Sequence, residues 1–367
     1  MTPLDAPARE PQTAHIVEKL SVLDRFLPLW ILAAMGLGLL LSAVAPGFGE
    51  ALDSYQVAGV SVPIAVGLLV MMYPVLAKVR YNETGHVLQD RKLMITSLVI
   101  NWLLAPAFMF VLAWVFLADL PEYRTGLIIV GLARCIAMVL IWNDLACGDR
   151  EAAAVLVAVN SVFQVAMFGV LGWFYLQVLP TWLGLPTTSA EFSVAAITLS
   201  VLVFLGIPLV AGFLTRTLGE RRLGREAYES RVLPRIGPWA LYGLLFTIVV
   251  LFALQGSQVM ANPLDVARIA VPLVVYFVVV FGASMVIGRY LNLGYERTTT
   301  LSFTASGNNF ELAIAVAIAT FGATSGQALA GVVGPLIEVP VLVALVYVAL
   351  WARKYFTARP GRIERSL

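Results

Sequence analysis

Ten stretches of this chain are each apolar for about 20 residues, the length a helix needs to cross the hydrocarbon of a bilayer. They fall at 26–45, 57–77, 93–118, 125–147, 152–179, 192–215, 236–256, 266–288, 298–321 and 327–352. What lies between them is short, so no soluble domain is left over. Charged residues make up only 13% of the chain, against about a quarter in a soluble domain. The expected fold is therefore an all-α polytopic membrane protein, and its work must be done inside the bundle. The first 25 residues are polar, with Pro3, Pro7 and Pro11. They lack an apolar run before a small-residue cleavage site, so they read as a tail, not a signal peptide.

Charge sets the expected orientation. Lys and Arg favour cytoplasmic loops. Of 24 such residues, only Arg124 and Arg268 fall on one set of alternate connections, and Arg134 lies within a span. All the others fall on the opposite set or on the tails. The connection between spans 6 and 7 alone holds Arg216, Arg221, Arg222, Arg225, Arg231 and Arg235, and is expected to be a long basic loop. Ten spans with both termini cytoplasmic follow.

Ten spans divide into five and five, and an odd-numbered repeat must insert its second copy upside down, a plan common in secondary transporters. Moving 174 residues along the chain takes Cys135 to Asn309 and Gln164 to Glu338. Spans 4 and 9 thus share a polar interruption near the middle, and spans 5 and 10 a polar side chain. The expected division is a tail at 1–25, repeats at 26–180 and 181–355, and a cytoplasmic tail at 356–367.

The first interruption is GLARCIAMVLIWNDLACGD, Gly131 to Asp149, and the second is SFTASGNNFELAIAVAIATFG, Ser302 to Gly322. Ser306, Gly307, Asn308 and Asn309 are poor formers of a helix interior. A spanning helix breaks only where it lines a cavity or is buried in protein, and breaks at matching positions of two repeats point to a midplane binding site. Arg134 lies about ten residues from the end of its span, roughly 15 Å deep. A charge there needs a partner, and Glu311 or Glu338 is the expected one, either as a packing ion pair or as part of a proton or cation site. Cys135 is a small buried hydrophobe on the plainest reading, but a break would turn its thiol toward the cavity. Cys147, 12 residues on, lies about 18 Å away along an intact helix and is expected to be dispensable. No HExxH, nucleotide-binding Gly-rich loop or Cys/His cluster occurs. Neither a cofactor, nor nucleic acid, nor a nucleophile–base pair for an enzyme is expected.

The stretches GLARCIAMVLIWNDLACGD, ASGNNFELAIAVAIATFG and VVGPLIEVPVLVALVYVAL closely resemble the arsenite efflux permeases of the arsenical-resistance-3 family, in order across most of 20–355. That family sits in the bile acid/arsenite/riboflavin transporter superfamily. The resemblance implies ten spans in two inverted five-helix repeats, with broken helices 4 and 9 crossing in a core domain beside a panel domain. It implies export of arsenite, and in some members antimonite, by proton antiport across the inner or plasma membrane. The functional thiol of the family's RCIAM motif falls on Cys135, the contact for arsenic(III). The acid of its NNFE motif falls on Glu311 and that of GPLxEVP on Glu338. Ser306, Asn308, Asn309 and Glu311 would bind the cargo's hydroxyls, and Glu311, Glu338 and Arg134 would handle the proton. The alternative is a sodium-coupled organic-anion symporter of the same superfamily, with Asn308, Glu311, Gln164 and Glu338 as cation ligands. That reading leaves Cys135 without a role. An intramembrane enzyme or metalloid sensor is a third.

Overall fold

The computed structural model describes residues 26–54, 56–57, 60–79, 90–136, 138–187 and 194–357. The expected tails lie outside these residues, 1–25 wholly and 356–367 from 358 onward. Span 1 is α1 (Leu27–Val44), followed by a short α2 (Pro46–Asp53) and a minimal hairpin, β1 (Gln56–Val57) with β2 (Val60–Ser61). Then come α3 (Val62–Lys78) and α4 (Arg91–Phe116). Span 4 is split into α5 (Pro121–Leu132) and α6 (Met138–Leu145). Next are α7 (Arg150–Trp182), α8 (Val194–Leu223), α9 (Arg225–Ala261) and α10 (Pro263–Tyr290). Span 9 is split into α11 (Tyr295–Ser306) and α12 (Phe310–Phe321), and α13 (Gly326–Ala352) completes the ten.

Span ends differ from expectation by a few residues, and two differences change the local structure. Span 2 was expected from residue 57, but the hairpin takes those residues and α3 starts at Val62, with Pro63 in its first turn, where a missing N–H costs nothing. The long basic loop between spans 6 and 7 is not a loop. The helices α8 and α9 meet at Gly224 alone, whose φ of +79° makes the tight turn available. Arg216 is buried at this corner and reaches Glu220 at 2.6 Å and Glu229 at 2.7 Å, tying the two helices together. The basic residues therefore ride on helix extensions.

Four helices carry a wide π turn, at Ile100–Leu104, Phe174–Val178, Leu202–Gly206 and Tyr228–Val232. Each is followed two residues later by proline: Pro106, Pro180, Pro208 and Pro234. Proline offers no N–H and its ring collides with the carbonyl four residues back. Widening the preceding turn relieves that collision while the helix continues.

The helices sort into two bodies. In the first, a panel, α9 packs on α1 and α3, and α8 packs on α3. Glycines set these seams. A Cβ on Gly243 would lie 2.7 Å from the Met71 nitrogen, one on Gly212 2.8 Å from that of Ala77, and one on Gly256 2.7 Å from the Cβ of Ser42. Close backbone approach through small residues is how helices associate where lipid removes the hydrophobic drive. The second body, a core, holds α4, both broken helices, α7, α10 and α13. At its centre α13 crosses α12 and α5, with Gly331 against Ile314 and Gly334 against the Phe310 ring. The panel meets the core where α8 touches α7 and α12, and where α1 and α9 touch α13. Arg297 reaches Asp90 at 2.5 Å and Asp149 at 3.6 Å, on the face that also carries Arg91 and Arg150, which we call the basic face. On the opposite face Arg268 donates to both oxygens of Asp119 and holds that carboxyl below its ordinary range.

Candidate functional site

The two breaks meet. After Leu132 the chain turns extended at Ala133 (φ −90°, ψ 116°), and after Ser306 at Gly307 (φ −71°, ψ 143°). The extended segments lie antiparallel, with Arg134 opposite Asn308. The Cys135 N–H donates to the Gly307 carbonyl at 3.2 Å, and the Asn309 N–H donates to the Ala133 carbonyl at 3.0 Å. Two more N–H groups go to side chains. That of Arg134 donates to Gln164 Oε1, and that of Asn308 to Glu338 Oε1 at 3.1 Å. Each bond in one break has its image 174 residues on in the other: 134 with 164 becomes 308 with 338, and 135 with 307 becomes 309 with 133. An unsatisfied buried backbone group costs about 1–3 kcal/mol, so this exchange lets both helices break at mid-bundle.

The side chains around the crossing are buried. The Cys135 thiol, three residues before α6, is buried at the crossing. Opposite it is Gly307, where a Cβ would sit 3.0 Å from the Cys135 Cβ and 3.6 Å from its sulfur. Glu311 is in the first turn of α12, capped by Asn309, whose Oδ1 accepts from the Leu312 N–H at 3.1 Å. Glu338 is on α13 three residues past Pro335. The structure thus brings together Arg134, Cys135, Asn308, Asn309, Glu311 and Glu338. Four buried donors here have no partner among the described residues: Nδ2 of Asn308, Nδ2 of Asn309, Nε2 of Gln164 and Nε of Arg134. The site is rich in donors and acids around a single thiol.

The expected ion pair of Arg134 with Glu311 or Glu338 is not found among the described residues. The guanidinium instead donates to the Tyr276 hydroxyl at 2.8 Å, to the Ala305 carbonyl at 3.2 Å and to the Gly131 carbonyl. The break itself frees those two carbonyls, by removing the N–H groups that would have used them. Tyr276, from α10, is the residue sequence reasoning missed. Its position 174 residues after Trp102, whose Nε1 donates to Asn160 at 3.1 Å, was the available signal. Its hydroxyl lies 3.4 Å from Asn308 Oδ1, which turns the Asn308 amide nitrogen the other way. Ser306 is at the crossing but donates to the Ser302 carbonyl at 2.8 Å, so it offers a lone pair, not a proton. Asn143 is not at the site. It accepts from Thr300 at 2.7 Å near the basic end of the core. Cys147 lies two residues past α6, at φ +56°, and does not join the crossing.

Comparison with known proteins bears on this arrangement. The sodium bile acid symporter family domain matches residues 65–262. Over 340 residues the chain is 61% identical to the arsenical-resistance protein Acr3 of Corynebacterium glutamicum, covering 93% of this chain and 92% of that one. The chain belongs to the sodium bile acid symporter family, on its Acr3 branch. The Acr3 of Alkaliphilus metalliredigens is 31% identical over 352 residues, 93% of this chain and 96% of that one. An uncharacterized transporter of Synechocystis is 34% identical over 362 residues, 94% and 92% of the two chains. This Acr3-family protein is a membrane transporter and not an enzyme.

Proposed function

We propose that this Acr3-family transporter exports arsenite from the cytoplasm in exchange for protons, by alternating access around the crossing of the two broken spans. The observation that carries the reading is the Cys135 thiol placed opposite Gly307, where the two breaks meet. The identity to two proteins named for arsenical resistance supports it. Arsenite is a small neutral trihydroxy acid, and trivalent arsenic is soft and prefers sulfur. Binding forms one As–S bond. The thiol proton and one arsenite hydroxyl leave together as water, and release to the far side reverses the step. Several thiols would hold arsenic too tightly for transport. A single thiol, helped by the Nδ2 groups of Asn308 and Asn309, which have no partner among the described residues, and by the Ser306 oxygen, gives a reversible site.

Glu311 takes the proton after arsenite leaves, and Glu338 and Arg134 share its handling. Carboxyl groups at mid-membrane are costly to keep ionised and commonly serve as proton relays. Residues 26–180 and 181–355 act as the two inverted repeats, a division supported by the paired hydrogen bonds at the crossing. The basic face is cytoplasmic, with both termini on that side of the cell membrane. Antimonite, of the same soft trivalent class, is a second cargo for the same thiol.

Everted membrane vesicles test this. Arsenite uptake should need an acid interior, collapse with a protonophore and ignore sodium. The family domain matched at 65–262 favours a second reading, sodium-coupled movement of an organic anion. Uptake that follows sodium and not pH would replace the first reading with that one.

A further inference from the structure

Two hydrogen bonds run from the panel to the core on the face opposite the basic one. Gln255 of α9 donates through Nε2 to the Ala323 carbonyl at 2.8 Å, and Gln258 to the Thr324 carbonyl at 3.0 Å. The two glutamines are three residues apart, so they share one face of the helix. Gln255 is only 1% exposed, an amide held inside an apolar seam. Burying an amide is unfavourable unless it is bonded; the Nε2 bond reaches the other body, and Oε1 has no partner among the described residues.

Their acceptors sit on a stiff connection. Gly322 ends α12 at φ +95°, and Ser325 caps α13, accepting from the Ala328 N–H at 3.2 Å and donating to the Gly322 carbonyl at 2.8 Å. The 12 residues of α12 then run back to the crossing, with Glu311 in the first turn. One end of α12 therefore holds the coupling acid and the other receives the two glutamines. Other polar ties on this face stay within the core: Glu122 accepts from the Gly326 N–H at 3.1 Å, and Tyr123 donates to Asp265 at 3.0 Å. Those ties travel with the core. The glutamine bonds must break if the core moves against the panel.

We propose that Gln255 and Gln258 are gating residues, holding the panel on the α12–α13 connection to keep the crossing closed on this face and releasing it when that face opens. The inference rests on the alternating-access reading above. It does not depend on which ion or cargo moves.

The test uses the full-length protein in vesicles with Cys147→Ser, which leaves Cys135 as its one cysteine. A membrane-impermeant maleimide is applied to either face, and the rate of Cys135 labelling is read. Gln255→Leu or Gln258→Leu should each speed labelling from the latched face about five-fold, and the double variant more than ten-fold, as expected for one or two lost hydrogen bonds. Labelling from the basic face should slow. An unchanged rate in a folded double variant overturns the proposal. A second measurement covers misfolding: Gln258→Cys with Thr324→Cys, joined by a short reducible cross-linker. Transport should stop on cross-linking and return on reduction only when both added cysteines are present, and transport undiminished in cross-linked protein is again contrary. If labelling shifts as stated but the Cys147→Ser parent with both glutamines intact takes up no arsenite, the cargo reading fails and the gate stands.

Discussion

A Cβ on Gly307 would lie 3.0 Å from the Cβ of Cys135 and 3.3 Å from the Phe303 carbonyl. Gly307→Ala should therefore crowd the thiol. Its φ of −71° suits any residue, so the variant should fold and insert normally while arsenite uptake falls at least ten-fold. Cys135→Ser should abolish uptake, and Cys147→Ser should leave it nearly intact; the reverse pattern in vesicles would reject the site assignment. Glu311→Gln should stop proton-coupled export, and full activity in that variant would remove Glu311 from the coupling role. These residues were legible because each is a polar or helix-breaking group at a depth where lipid permits none without reason. The partner of Arg134 was not legible. It is a tyrosine on another span together with two carbonyls, and carbonyls carry no mark in a sequence.

At the scale of the element, a break in a buried helix is stable only if its N–H groups find acceptors. Gln164 and Glu338 serve this purpose one repeat apart. Gln164→Leu leaves the Arg134 N–H without its acceptor and should destabilise the protein by about 1–3 kcal/mol, seen as a lowered midpoint in a detergent-phase melt. Glu338 combines an acceptor with a titratable group, and two variants separate these. Glu338→Gln keeps an acceptor for Asn308 and should melt near wild type while losing pH-driven uptake. Glu338→Leu should lose both. Equal melting of the two would place the Asn308 bond elsewhere. The breaks themselves were visible in sequence, since Ser-Gly-Asn-Asn has no place inside a continuous helix. The short α8–α9 turn was not, because Arg-rich sequence looks the same in a loop as on a helix extension.

For the whole molecule, the ten spans were legible because bilayer thickness fixes helix length, and the count survived errors of a few residues at the ends. The sorting of spans into panel and core was not readable from periodicity, since lipid-facing and protein-facing surfaces are both apolar. It shows only in close approaches such as Gly243 against Met71. Gly243→Val should part α9 from α3 and cost about 1–3 kcal/mol by overpacking, again readable by melting, with the crossing unaffected. The central claim is that cargo meets sulfur where the broken spans cross. Arsenic X-ray absorption on the purified protein loaded with arsenite tests it most directly. The account predicts one sulfur in the first shell of arsenic, lost in Cys135→Ser and kept in Cys147→Ser. A shell of oxygen alone in the wild type, or a sulfur that persists in Cys135→Ser, would contradict it.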